Sequence, residues 1–215
     1  MTTVYIVRHG QSVANLEERF AGHSDFPLTD LGRKQAELAG DYLVEKKIRL
    51  DAAYASDLCR AFETGRIVAE KQGLTPIPAP GLREIYAGEW ESMKFIEIYE
   101  RFRKSFDVWL QNIGRSRCDG GESIAEVRTR VLAAVKEIVG ENKGKTILLA
   151  THGAAIRSLE AELTGFGADE MKDLPWVGNA SLTVVEFDDD LNGTIVQRDI
   201  REHLGEFASG LPANV

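Results

Sequence analysis

Two short apolar runs in this chain end in the same pair of residues, a histidine followed by a glycine. Residues 4–7 lead into Arg8-His9-Gly10, and residues 146–151 lead into His152-Gly153. Short apolar runs of this kind predict buried β-strands. Because the carboxyl ends of parallel strands form the ligand crevice of an α/β protein, we expect the two histidines at one edge of a sheet.

The residue types at these strand ends suit the binding of an anion. Arginine offers a planar fork that matches phosphate or carboxylate oxygens, and histidine acts as a nucleophile or proton carrier near neutral pH. Arg8-His9-Gly10 alone is also what an ordinary strand end with a turn glycine looks like. The second pair, His152-Gly153, favours the anion site.

Helices are predicted between the strands. Thr29 is placed to cap one helix, and Ser123 with Glu126 forms the capping box of another. Ser56-Asp57 predicts a helix start directly after a short strand at residues 52–55. A further helix is expected after the second His-Gly pair.

The element order predicts a fold. Residues 182–187 and 194–197 form a hairpin pattern around the Asn192-Gly193 turn. We therefore expect one α/β domain over residues 1–215, with a mostly parallel sheet, helices on both faces and an antiparallel edge hairpin. Residues 93–117 place aromatic and aliphatic side chains at roughly helical spacing, which predicts a helical lid. Core packing also produces such a stripe.

Composition limits the partners and the compartment. The chain has 26 basic and 34 acidic residues and a net charge of −8, which disfavours nucleic acid and anionic membranes as partners. Cys59 and Cys118 are too few for a disulfide framework. The N-terminal apolar run is too short for a signal peptide and no segment is long enough to span a bilayer, so we expect a cytoplasmic protein.

Three further side chains are candidates for the site, and two of them, Arg60 and Asn15, have an ordinary structural alternative. Arg60 falls in the first turn of a predicted helix, where free amides already favour anions, but a surface arginine fits the same pattern. Asn15, in the loop after His9, either binds an oxyanion or caps its own turn. Glu84 ends an extended, proline-rich segment.

Taken together, these motifs resemble the histidine phosphatase superfamily, which comprises the cofactor-dependent phosphoglycerate mutases and related phosphatases. The resemblance spans about residues 3 to 187 and keeps the family's order, and the four-part match is specific although each part is weak. Its parts are Arg8-His9-Gly10, Ser56-Asp57-Leu58-Cys59-Arg60-Ala61 with Thr64, Glu84 before Gly88-Glu89-Trp90-Glu91, and Thr151-His152-Gly153.

The resemblance implies a role for each matching residue. His9 would be the nucleophile that accepts the phosphoryl group, and Glu84 would protonate the leaving oxygen and later activate water. The side chains that bind the phosphoryl group would be Arg8, Arg60 and His152. Weaker contacts to the phosphate are implied for Asn15, Ala21, Gly22 and Gly153. Two arginines and a histidine can neutralise the phosphoryl charge, so no metal site and no cofactor are expected.

Within the family, the chain resembles the phosphatases more than the mutases. Gln11 stands where mutases usually have glutamate, and Ser92 stands where glycine usually follows the Gly-x-Trp-Glu motif. The segment after Trp90 is shorter than the mutases' substrate-covering insertion. A mutase has to shield its phosphohistidine from water, which an open or apolar lid does poorly. We therefore expect metal-independent hydrolysis of a small phosphorylated metabolite through a phosphohistidine.

Several alternatives stay open at this point. A phosphoglycerate mutase-type phosphotransferase would use the same residues, and a catalytically inert regulatory module would bind phosphoesters without turnover. A zinc site built from His9, His23, His152 and His203 is disfavoured, because their spacing is not that of metal ligands. Relatives are commonly homodimers, and the sequence leaves the oligomeric state, the natural substrate and the role of the chain after Arg198 open.

Overall fold

A computed structural model describes residues 1–210, and these contain one six-stranded sheet. Its strands are β1 (Thr2–Arg8), β2 (Ala52–Ala55), β3 (Ile77–Pro78), β4 (Thr146–Thr151), β5 (Leu182–Phe187) and β6 (Gly193–Ile200). The spatial order is β3-β2-β4-β1-β5-β6, with the first four strands parallel and the last two antiparallel to their neighbours. The predicted mostly parallel sheet with an antiparallel edge is confirmed; residues 211–215 of the predicted domain lie outside the described residues.

The helices fall between the strands as the sequence predicts. They are α1 (Val13–Leu16), α2 (Asp30–Glu45), α3 (Cys59–Glu70), α4 (Phe95–Arg101), α5 (Arg103–Gln111), α6 (Ile124–Glu141) and α7 (Gly153–Leu163). The predicted caps of α2 and α6 are present: Thr29 accepts a hydrogen bond from the Gly32 amide, and Ser123 forms a capping box with Glu126. None of the helices in the described part of the chain combines the length and apolar character needed to cross a membrane.

The start of α3 differs from the prediction. This helix begins at Cys59 rather than at Ser56-Asp57, and its N-cap residue, Leu58, makes no side-chain cap hydrogen bond. The Ser56 hydroxyl instead lies 2.8 Å from His152 Nε2. The Asp57 carboxylate pairs with Arg83 at 2.5 Å. The two polar residues thus serve contacts to distant segments, which a local cap signature does not reveal.

Alternate residues of the central strands face opposite layers of helices, since side chains alternate along a strand. Ile6 and Leu149 belong to one hydrophobic cluster, whereas Val7 and Leu148 belong to another. The first cluster includes Val131 and Val135 of α6 and Ala155 and Leu159 of α7, and the second includes Ala39 and Leu43 of α2 and Val68 and Ala69 of α3. The predicted helices on both faces are therefore confirmed.

The helical insertion predicted at residues 93–117 is present as α4, α5 and a 3₁₀ turn at Ile113–Arg115. Its aromatic side chains pack on Trp90, which is fully buried. The ring centroids of Trp90 and Phe106 are 5.6 Å apart, and those of Phe20 and Trp109 are 5.0 Å apart. The stripe is thus part of the core and ties the insertion to the rest of the domain.

The turn after β1 packs directly on the first turn of α2. A Cβ atom added to Gly10 would lie 2.2 Å from the Gly32 carbonyl oxygen, and one added to Gly32 would lie 2.0 Å from the Gln11 carbonyl oxygen. Both distances are far below van der Waals contact. Glycine at both positions therefore allows an approach that fixes the backbone following β1.

Replacing Gly32 by alanine is expected to lower the free energy of unfolding by roughly 1–3 kcal/mol, since the new methyl group overpacks against backbone. The matched control is Gly140→Ala in α6, because nothing lies within 4 Å of a Cβ at Gly140. This control should raise stability by up to about 1 kcal/mol through helix propensity. Urea unfolding of both variants decides the point, and equal effects would contradict the close-packing argument.

Candidate active site

The register of β1 and β4 brings the two histidines together. Arg8 pairs with Thr151 across the parallel strands, so the next residues, His9 and His152, leave the sheet side by side. Their ring centroids are 5.2 Å apart and the ring planes are inclined at 62°. Both side chains are buried. The predicted pair of histidines at one sheet edge is present.

The His9 ring has a defined tautomer. Its Nδ1 lies 2.8 Å from the Gly10 carbonyl oxygen, which only accepts, so Nδ1 holds the proton and Nε2 holds the free lone pair. Within residues 1–210, no group forms a hydrogen bond with Nε2. The Asn179 side-chain Nδ2 donates to the His9 carbonyl oxygen at 3.0 Å, and the Gly10 backbone amide donates to Thr64 Oγ1 at 3.1 Å. The backbone on both sides of the ring is thus fixed.

Burial and neighbouring charge keep the histidines neutral. Burial, followed by the positive charges of Arg60 and Arg8, holds the pKa of His9 well below 6.5. Burial and Arg60 likewise lower the pKa of His152 well below 6.5. Burial lowers the pKa of Arg8 to about 10, which leaves the guanidinium charged at neutral pH. A neutral nitrogen with a free lone pair therefore lies beside the charged arginines.

The two arginines are buried cations without a carboxylate partner among the described residues. Arg60, 1% exposed, donates to the carbonyl oxygens of Gly22 (2.8 Å) and Ser24 (3.0 Å). Arg8, 5% exposed, donates to the Val177 carbonyl oxygen at 2.5 Å. Each retains a buried Nε without a hydrogen-bond partner in this part of the chain. Since burying an unpaired charge costs several kcal/mol, the arrangement points to an anionic ligand.

A pocket is lined by Arg8, His9 and Arg60, and Glu84 also lines it, at the N-terminus of α7. Its Oε2 accepts a hydrogen bond from the Ala154 amide at 3.2 Å, and its Oε1 accepts one from the Ile85 amide at 3.0 Å. Gly153, beside Ala154, also lines the pocket. A Cβ at Gly153 would lie 3.5 Å from the Arg8 guanidinium carbon, so a larger residue here would crowd the anion site.

Asn15 meets both alternatives considered from the sequence. It belongs to α1, where its Oδ1 accepts from the Ser12 amide at 3.0 Å and from the Asn179 amide at 3.3 Å. Oδ1 is engaged by these donors, and Asn15 is one of the residues that line the pocket. The residue is thus a cap and a candidate ligand donor at once.

The loop with Ala21 and Gly22 is anchored by Glu91, the last residue of the Gly-Glu-Trp-Glu motif. Glu91 accepts hydrogen bonds from the amides of His23 (2.8 Å) and Ser24 (2.7 Å). It also accepts from the Ser24 hydroxyl at 2.6 Å. This carboxylate therefore holds the loop whose carbonyls accept hydrogen bonds from Arg60.

The predicted site residues converge, with one difference in depth. His152 is fully buried behind His9 and is not part of the pocket wall. Those that line the pocket are Arg8, His9, Asn15, Ala21, Gly22, Arg60, Glu84 and Gly153. Sequence reasoning missed Asn179 and Trp176, which lie in an irregular segment before β5 with no periodic pattern. The only local signal there is the Pro175-Trp176 pair.

The zinc arrangement considered from the four histidines is not formed. In the described part of the chain, no three histidine, cysteine, aspartate or glutamate side chains lie together as metal ligands. His203 instead lies 3.0 Å from the Ala180 carbonyl oxygen, and His23 donates to the Glu84 carbonyl oxygen at 2.8 Å. These two histidines have structural hydrogen bonds of their own.

Comparison with known proteins gives a consistent assignment. A family model described as histidine phosphatase superfamily (branch 1) matches residues 4–199. The chain is 30% identical over 215 residues to phosphoserine phosphatase 1 of Hydrogenobacter thermophilus, with 96% of each chain covered. It is 33% identical over 193 residues to a probable phosphoglycerate mutase of Yersinia pestis, with 87% of this chain and 86% of that protein covered.

A solved structure agrees with these sequence matches. Bacillus stearothermophilus YhfR superposes with a TM-score of 0.89 and 32% identity, covering 95% of this chain and 100% of that one. Fold, sequence and the buried His9–Arg8–Arg60 arrangement thus lead to the same family. The chain belongs to branch 1 of the histidine phosphatase superfamily, and it is a phosphatase of that family.

Proposed function

We propose that this phosphatase hydrolyses a small phosphomonoester without a metal ion, through a phosphohistidine formed on His9. The observation that supports this most directly is the neutral His9 Nε2 lying beside two buried arginines that lack carboxylate partners in the described chain. A phosphate dianion would supply the missing negative charge. Its phosphorus would then face a nitrogen lone pair.

In the first step, His9 Nε2 attacks the phosphorus atom and the bond between phosphorus and the ester oxygen breaks. Arg8 and Arg60 neutralise the charge on the equatorial oxygens, which is the main demand of phosphoryl transfer. Glu84, in its protonated form, gives its proton to the leaving oxygen, so the alcohol departs neutral. The Asn15 NH₂ group would donate to a phosphate oxygen.

In the second step, water replaces the alcohol. The Glu84 carboxylate takes a proton from water as the water oxygen attacks phosphorus, and the bond between His9 Nε2 and phosphorus breaks. Inorganic phosphate leaves, and Glu84 is again protonated for the next cycle. Splitting hydrolysis in this way replaces one difficult step by two easier ones.

The part of the pocket wall that lies away from Arg8 and Arg60 supports an apolar or aromatic leaving group. Among residues 1–210, Arg19 is the one cation in this part of the wall, and it already donates hydrogen bonds to Glu17 at 2.6 Å and to the Ser92 carbonyl oxygen at 2.8 Å. The apolar side chains of the wall are Phe20, Ile85, Phe95, Trp109 and Trp176. Such a surface binds rings and alkyl groups through burial of apolar area.

Replacing His9 by alanine should reduce release of phosphate from p-nitrophenyl phosphate by more than about a thousandfold, because no other side chain replaces the nucleophile. Wild-type activity should persist in excess chelator. Mass spectrometry after alkaline denaturation should find one added phosphoryl group in wild-type protein and none in the variant. Full activity of a folded His9→Ala variant would remove the mechanism.

The histidine protonation states give a second expectation. Because folded pKa values below 6.5 mean that protons are lost at lower pH, the His9 and His152 rings should both be neutral at pH 6 in the ligand-free enzyme. Nitrogen NMR of labelled protein reads the ring protonation directly. Single alanine variants assign the signals, and a midpoint at or above 6.5 for either ring would contradict the burial argument.

Phosphoryl transfer to a second acceptor is the rival activity, favoured by the similarity to a probable phosphoglycerate mutase. With 3-phosphoglycerate and a trace of the bisphosphate, we expect phosphate release to exceed formation of 2-phosphoglycerate. The open, largely apolar pocket wall does little to keep water from a phosphohistidine. Phosphorus NMR follows both products, and faster isomerisation would replace hydrolysis by mutase activity.

A further inference from the structure

The segment that presents Glu84 lacks regular secondary structure. Residues 83–87 lie between 3₁₀ turns at Pro80–Leu82 and Gly88–Trp90, and belong to no helix or strand. Backbone hydrogen bonds of a ladder or helix therefore do not fix the position of this carboxylate. Apart from the Ala154 amide that binds its Oε2, the position of this carboxylate depends on contacts that hold the backbone of the segment.

Arg130, on α6, holds this backbone at three carbonyl oxygens. Its Nη1 donates to Gly81 at 3.0 Å and to Arg83 at 2.9 Å, and its Nη2 donates to Glu84 at 3.1 Å. The carbonyl oxygen of Leu82, which lies between Gly81 and Arg83, accepts from the Thr151 hydroxyl at 2.6 Å. Every carbonyl oxygen from residue 81 to 84 is thus engaged by a side chain.

Glu122 orients the Arg130 guanidinium. The pair is bidentate, with Nε to Oε1 at 3.0 Å and Nη2 to Oε2 at 2.8 Å, and the side chains are only 25% and 22% exposed. Glu122 Oε2 also accepts from the Tyr86 amide at 2.8 Å. The two residues therefore hold the backbone on both sides of Glu84.

The contact between this segment and α6 leaves little room for movement. A Cβ on Gly81 would lie 2.5 Å from the Ala134 Cβ, one helical turn after Arg130. The planar fork of arginine suits this task, since lysine offers a point charge on a flexible chain and cannot form the same set of bonds. Helix α6 and residues 81–84 are thus joined by close packing as well as by hydrogen bonds.

We propose that Arg130, oriented by Glu122, is a positioning residue that sets the distance between the Glu84 carboxyl group and the leaving oxygen. The proposal rests on the proposed role of Glu84 as the acid. Neither residue lines the pocket. An error of about 1 Å in the placement of a catalytic group can cost about a hundredfold in rate, so loss of this clamp should weaken proton transfer specifically.

The test compares two esters that differ in their need for an acid. A p-nitrophenolate leaves readily without a proton, whereas the phenolate of phenyl phosphate depends on one. Arg130→Lys and Glu122→Gln should each lower kcat/KM for phenyl phosphate by about tenfold or more, and that for p-nitrophenyl phosphate by about threefold or less. The value of kcat/KM is used because it reports the step up to departure of the alcohol.

Arg128→Lys is the matched control. Arg128 lies on the same helix and has the same kind of bonds, to Glu162 at 2.8 Å and to the Phe166 carbonyl oxygen at 3.0 Å, but it holds a segment away from Glu84. The Arg128→Lys variant should leave the ratio of the two kcat/KM values unchanged. Thermal unfolding of every variant checks that each one is folded. A selective loss in Arg128→Lys would overturn the proposal.

Glu84→Gln separates the two levels of the argument. If this variant reduces both esters equally, the role of Glu84 as the acid fails, and the positioning role fails with it. If Glu84→Gln is selective for phenyl phosphate but Arg130→Lys is not, only the positioning role is overturned. In the Glu84→Gln background, Arg130→Lys should cause no further selective loss, because both changes remove one function.

Discussion

Two buried guanidinium groups set the conditions for everything else at this site. Desolvating an ion costs several kcal/mol. Hydrogen bonds that Arg8 and Arg60 donate to carbonyl oxygens, rather than to carboxylates, partly offset this cost. Those carbonyls belong to the loop at residues 22–24 and to Val177, so two connecting segments lie against the arginines and orient carbonyl oxygens towards them. Burial, together with the net positive field that remains, keeps the histidines neutral, and the field favours an anion beside the two arginines.

The strand ends and helix caps were predictable because their signals are local. A short apolar run ending in His-Gly is visible within ten residues, and the capping box of Ser123 and Glu126 is formed three residues apart. Parallel strand pairing then places His9 beside His152 without further information. The fold and the phosphate end of the site follow from these signals.

Contacts between distant segments were not predictable in the same way. Ser56 and His152 are 96 residues apart, and Asn179 reaches His9 across 170 residues. No period or motif marks such pairs, because either residue alone has an ordinary local use. Ser56 shows this directly: its sequence context favours a helix cap, yet its hydroxyl lies against a buried imidazole. The contact between Arg130 and Glu84, which are 46 residues apart in the sequence, is of the same kind.

The two ends of the pocket differ in how they are built, and this bears on specificity. Arg8 ends a central strand and His9 follows it directly, and Arg60 lies in the first turn of α3, whereas Glu84 and Trp176 lie on irregular segments. Substitutions in the irregular segments can reshape the space for the leaving group without moving the phosphate end. Because no strand or helix hydrogen bonds hold the backbone at Glu84, the proposed acid depends on side-chain contacts such as those of Arg130. In the proposed mechanism, phosphate binding and leaving-group protonation are therefore positioned by separate parts of the fold.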